Sequence, residues 1–340
     1  MNIESVLKAL TEEVGVSGDE YPAAAKAAEY LKKYAENVKI DKFGNVTGMV
    51  MSKDPNAKTL MLDAHIDQVG LIVTYINEDG FVNVGSCGGI DEKILLAQSV
   101  TVHGKRNVLG VVSTLPPHVQ KENKAPEIQD ISIDVGMTKE QAEQIISLGD
   151  RITINSEFRR LANDTVSCQA VDDRSGVCVI LAALEMIGDK PSFNIAVSFS
   201  TKEEVGGSGA KQTAFEIRPD EAIAVDVSFG TTPDSDKKNT AKLGSGVMIG
   251  FSASLDKGMS NNLRSLAERK KIPFTSEIMM SYTGTNADSI GVTGRGTKCS
   301  TLSIPIRYMH TPIECVRLCD IEAAARLICE YALEGGADNA

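Results

Sequence analysis

Residues 171–204 read VDDRSGVCVILAALEMIGDKPSFNIAVSFSTKEE. Val177, Ile180, Leu181 and Leu184 recur at helical spacing, so the first half predicts a helix with one apolar stripe. Beyond Gly188 and Pro191 the period changes, and FNIAVSFST from Phe193 alternates as a half-buried strand does before ending at Glu203 and Glu204. The alternation continues downstream through AIAVDVSF (222–229), MSNNLRSLAERKKI (259–272), TLSIPIRY (301–308) and IEAAARLICEYALE (321–334). Strands and helices in turn predict an α/β fold, with a mixed, mostly parallel sheet flanked by helices.

Upstream, residues 1 to about 36 read as two helices, with PAAAKAAEYLKKYAENV strongly helical in composition, and strands follow through Asp67. From Leu71 the pattern becomes short strands, LIVTYI, FVNV, SVTVHG and LGVVST, divided by glycine-containing turns and interrupted by one short helix, TKEQAEQIISL. The expected organisation is a catalytic domain in two parts, residues 1–70 and 166–340, with a mainly β domain inserted at 71–165. A chain of 340 residues with 42% hydrophobic content is long enough to divide in this way.

The chemistry-bearing residues fall at the ends of apolar runs: AHID with His65 and Asp67, VDDRSG with Asp172, TKEEVGG with Glu203 and Glu204, AVDVS with Asp226, and RYMH with His310. Imidazole and carboxylate are the donors that zinc-like ions take, and paired ions need one shared carboxylate with terminal ligands on either side. Taken singly, each segment has a plainer explanation. A strand-end histidine with an aspartate is commonly a structural pair, adjacent aspartates before a helix are good caps, and an EE pair is usually solvated. Four histidines occur in the whole chain, and two of them lie in these segments. Asp67, on the same strand face as His65, would accept the spare ring proton. One of Asp172 and Asp173 can cap the following helix and leave the other free. Asp226, inside an apolar run, needs a cation or several donors. His103, in an alternating strand, and His118, in a proline-rich loop, read as ordinary residues. Cys315 and Cys319, taken as one helical turn apart, read as packing residues.

The motifs AHID-VG, VDDRSG, TKEEVG, AVDVS and IPIRYMHTPIE, in this order, resemble the tetrahedral (TET) aminopeptidases, dinuclear metallopeptidases that include glutamyl aminopeptidases and FrvX-like proteins. The resemblance covers essentially the whole chain, from LTEEVGVSGDE at Leu10 to the C-terminal helix. It implies a zinc-peptidase-like fold whose inserted domain is a small β-barrel making dimer contacts. It also implies two divalent metal ions per subunit, zinc ahead of cobalt. His65, Asp172 and Asp226 would hold one and Asp172, Glu204 and His310 the other, with Asp172 bridging. Glu203 would be the general base and acid, Asp67 the partner of His65, and the Asp172–Asp173 peptide bond cis. The implied reaction releases N-terminal residues from short peptides within a homo-oligomeric dodecamer built of dimers. The chain departs from the usual pattern at Gln68, Lys202, Gly207, Ser208 and Asn286, the last standing where GTDA has aspartate.

A net charge of -11 argues against nucleic acid as a partner, and no run approaches the roughly 18 apolar residues of a membrane span. MNIESVLKALTEEV lacks the basic-then-apolar order of a signal peptide, and seven cysteines without a regular framework suit reduced thiols, so a cytoplasmic location is expected. Two other readings differ in class. A cellulase-type glycoside hydrolase would use paired carboxylates without metal, although a chain with no tryptophan has few platforms for sugar rings. A metal-stabilised assembly protein without catalysis would leave Glu203 with no activity to support.

Overall fold

A computed structural model describes residues 1–114 and 126–335; His118 lies outside them. The strands are β1 (Glu36–Ile40), β2 (Val46–Val50), β3 (Thr59–His65), β4 (Gly70–Ile76), β5 (Val82–Cys87), β6 (Ser99–His103), β7 (Asn107–Val112), β8 (Ser132–Asp134), β9 (Arg151–Ile154), β10 (Arg159–Arg160), β11 (Thr165–Cys168), β12 (Asn194–Ser200), β13 (Glu221–Phe229), β14 (Val247–Phe251), β15 (Phe274–Ile278), β16 (Lys298–Arg307) and β17 (Glu314–Arg317). The helices are α1 (Ile3–Thr11), α2 (Tyr21–Leu31), α3 (Lys139–Glu143), α4 (Val171–Ile187), α5 (Ser208–Ile217), α6 (Lys257–Lys270), α7 (Asn286–Gly291) and α8 (Leu318–Glu334).

Eleven strands form the large sheet, in the order β1-β2-β12-β3-β13-β16-β17-β11-β10, with β14 added to β16 and β15 to β14. Its centre, β12-β3-β13-β16, is parallel, while β1, β2, β10, β11 and β17 attach antiparallel at the two ends. Parallel strands require helical crossovers, so both faces are covered and the strands are apolar throughout. Along β3, Leu60, Leu62 and Ala64 enter the core beneath α1, α4 and α8, whereas Met61 joins the cluster under α5 and α7. That alternation also directs Asp63 and His65 toward the α5 and α7 face.

The strands β4-β5-β8-β7-β6-β9 close into an antiparallel barrel filled by Leu71, Val84, Val100, Val102, Ile133 and Ile152. Closure removes the exposed edges that a lone antiparallel sheet would present. His103, on β6, is held by Asn107 at 3.0 Å and Thr153 at 2.9 Å.

Three local readings are corrected. The second helix ends at Leu31, and Glu36–Ile40 is a strand, because pairing with β2 overrides the helical composition of KKYAENV. The helix expected over 138–148 closes after Glu143, and Ile145 and Ile146 pack on the barrel core instead. Cys315 lies on β17 and Cys319 opens α8, so no helical turn relates them.

Candidate active site

The parallel centre of the sheet places its polar residues at strand ends, where an α/β sheet opens a crevice. His65 ends β3, Glu203 and Glu204 follow β12, Asp226 lies on β13 and His310 follows β16. Asp172 and Asp173 open α4 with non-helical backbone, and the peptide bond between them is cis. Their roles separate: Asp173 Oδ1 accepts the Gly176 N–H at 2.8 Å, as a helix cap does, while Asp172 faces the crevice.

Asp172 is the centre of the arrangement. Its Oδ1 lies 3.0 Å from His65 Nε2 and its Oδ2 lies 3.2 Å from His310 Nε2. Asp226 Oδ1 stands 3.9 Å from His65 Nε2, and Glu204 Oε1 stands 3.3 Å from His310 Nε2. Each histidine can place its other ring proton on a backbone carbonyl, His65 Nδ1 on Asp67 O at 3.1 Å and His310 Nδ1 on Gly89 O at 2.7 Å. Both Nε2 lone pairs then converge on carboxylate oxygens, an arrangement that repels unless a proton or a metal ion lies between. Donors bound tetrahedrally at about 2.1 Å stand roughly 3.4 Å apart, and the four separations bracket that value. The residues therefore form two groups suited to holding metal, His65–Asp172–Asp226 and Asp172–Glu204–His310, which share Asp172.

The electrostatics agree with a site that requires cations. Burial, with Asp173, Asp172 and Glu203 nearby, pushes Asp226 well above the usual carboxylate range, while its Oδ1 accepts the Val227 N–H at 2.7 Å. Burial also raises Glu204. Asp172 is held low, because hydrogen bonds from His310 and His65 outweigh its desolvation. Against burial, which lowers it, Asp172 and Glu204 lift His310 to about 11. Glu203 is pushed up to about 7 by burial and by the neighbouring charges of Glu204, Asp67 and Asp172.

The spare His65 proton, expected on the Asp67 carboxylate, meets the Asp67 backbone carbonyl instead, because that oxygen stands nearer to Nδ1. The Asp67 carboxylate, its Oδ1 3.5 Å from His65 Nδ1, accepts the N–H groups of Glu203 at 3.0 Å and Glu204 at 3.2 Å and the Ser17 hydroxyl at 2.7 Å. It thereby fixes the turn that aims both glutamates. Glu314, absent from the sequence reading, does the same for the other half: it accepts from the backbone of His310 at 2.8 Å and of Asp172 at 3.1 Å. Its signal was present in RYMHTPIE, four residues after His310. Arg174, completely buried, donates to Ile66 O at 2.7 Å, Leu10 O at 2.5 Å and Glu13 O at 3.1 Å, tying the AHID strand end to the N-terminal helix.

The M42 glutamyl aminopeptidase family model matches residues 44–327. The chain belongs to that family. A lysyl aminopeptidase of Pyrococcus furiosus is 32% identical over an aligned length of 335 residues that covers 95% of this chain and 94% of the relative. The solved aminopeptidase of the archaeon Desulfurococcus kamchatkensis superposes with a TM-score of 0.93 at 34% identity, covering 99% of this chain and 96% of that one. A TET1 peptidase of Pyrococcus horikoshii, described as able to assemble into a tetrahedron or a large octahedral shell, superposes with a TM-score of 0.87 at 28% identity over 98% of this chain and 100% of its own. This M42 chain is a peptidase, with the aminopeptidase activity of its family. Among the described residues no helix is long and apolar enough to cross a membrane.

Proposed function

We propose that this M42 peptidase removes the N-terminal residue of short peptides with two divalent ions, zinc ahead of cobalt, held by His65, Asp172 and Asp226 and by Asp172, Glu204 and His310. The observation that carries this reading is the placement of the two Asp172 oxygens against two opposed imidazole nitrogens, at 3.0 and 3.2 Å. When bound, the ions would polarise the scissile carbonyl and make a water acidic enough to attack at neutral pH.

The remaining work falls to the chain. Glu203, half-buried at the crevice wall and with its proton affinity raised toward neutrality, takes the proton of the attacking water and delivers it to the departing amine. Asp67 holds the Glu203 and Glu204 amides, so the base and the neighbouring ligand move as one unit. A free α-amine bound beside the ions and the acidic residues of the crevice would favour exopeptidase over internal cleavage.

The test is release of amino acids from X-Ala-Ala peptides with and without a chelator, beside N-acetylated controls. Cleavage of free-amine peptides alone, abolished by chelation and restored by zinc or cobalt, is the expected result. Peptide cleavage that survives full metal removal would contradict the two-ion mechanism, and metal-independent hydrolysis of cellulose would instead favour the glycoside hydrolase reading. We further propose self-association like that of the Pyrococcus horikoshii peptidase, with the exposed Leu109 and Val111 of the barrel available for contact. Light scattering that found only monomer at physiological salt would remove this part.

A further inference from the structure

The crevice continues beyond the histidines and carboxylates into a cavity of about 860 Å³, and the sheet dictates what lines it. Asp226 pairs in register with Ser303, Ser303 with Met248, and Met248 with Thr275, so one row crosses β13, β16, β14 and β15. Residues in register across a sheet share a face, and all four line the cavity. Neighbouring strands are about 4.8 Å apart, which sets Met248 roughly 10 Å from Asp226. Met279, just past β15, and Met309, beside His310, line the same cavity from other sides.

The geometry points to this cavity, lined by Met248, Met279 and Met309, as the receptor for the side chain of the substrate's N-terminal residue, selecting large apolar residues such as leucine, methionine and phenylalanine over charged and small ones. The inference rests on the function proposed above. In an aminopeptidase substrate the first side chain leaves the carbon between the free amine and the scissile carbonyl, so the pocket that takes it must border the ligand residues, as this cavity does. Thioether side chains are flexible and polarisable, and they fit apolar partners of different shape without demanding one.

Two charged groups also line the cavity. Glu277 has both oxygens engaged, by the hydroxyls of Ser228 and of Ser303, the latter at 2.7 Å, and burial raises its proton affinity. Lys238 is exposed, on the 231–241 loop. Glu277 and Lys238 name the competing outcomes, preference for a basic or for an acidic first residue.

The experiment compares kcat/KM of the metal-loaded enzyme for X-Ala-Ala and Ala-X-Ala peptides, with X as Leu, Met, Phe, Ala, Lys or Glu. The wild type is expected to favour Leu, Met and Phe at the first position over Lys and Glu by tenfold or more, on the order of what a few buried methylenes discriminate. Met248→Ala and the more accessible Met279→Ala should each lower the Leu-to-Ala ratio of kcat/KM by roughly tenfold. A thermal melt checks that each variant folds. Three results would overturn the inference: a lysine preference that Glu277→Gln removes, an equal loss for every X, or an effect confined to the Ala-X-Ala series. Failure of the wild type to cleave any free-amine peptide would refute the underlying aminopeptidase reading, and the inference with it.

Discussion

Glu203→Gln is expected to lower kcat on free-amine peptides by roughly 10²- to 10⁴-fold, the range that general acid–base catalysis contributes. The amide keeps the size and the backbone hydrogen bond to Asp67, so the turn and Glu204 stay in place. What is lost is the ability to accept a proton from water and return it to the amine. KM should change little, because Glu203 has no part in the proposed binding of the N-terminal side chain. Steady-state kinetics over a substrate series provides the check; a loss below about tenfold would mean that another group carries the proton.

Asn286→Asp is expected to destabilise the protein by about 3–5 kcal/mol, the magnitude associated with an uncompensated buried charge. Asn286 Nδ2 donates to Asp63 Oδ2 at 2.8 Å and to Ser200 Oγ at 2.9 Å, and both Asn286 and Asp63 are buried. Aspartate at 286 would replace that donor with a second acceptor and set two carboxylates face to face, where burial alone already raises Asp63 to about 6. In this chain the carboxylate of the pair stands at 63 on β3 and the amide at 286. The exchange Asp63→Asn with Asn286→Asp reverses donor and acceptor and should recover most of the stability. Urea denaturation of the single and double variants measures both effects, and additive losses in the double variant would show that the pair is not coupled.

The sheet and its crevice were legible because the ligand-type residues interrupt apolar runs at strand ends, where burial makes a charge costly unless it has work to do. Asp226 within AIAVDVS and His65 within TLMLDAH stand out for that reason. The split between Asp172 and Asp173 was only half legible, since either could cap α4 and the backbone alone determines which one does. Ser17 was missed because it acts on a neighbouring carboxylate, and Glu314, although it stands four residues after His310, because its work is on backbone amides that residue type does not reveal. VMIGF and FTSEI, the strands that build the far wall of the cavity, are five residues each, too short for their period to be told from a loop. The partnership of Asp63 with Asn286 spans 223 residues and belongs to tertiary packing alone.

The central claim is that Asp172 joins two ion sites, and metal occupancy tests it most directly. Metal analysis of the wild type and of Glu203→Gln, with anomalous scattering to locate the ions, should find two ions per chain in both proteins, one on each side of Asp172. A single ion, or ions bound away from His65 and His310, would contradict the account.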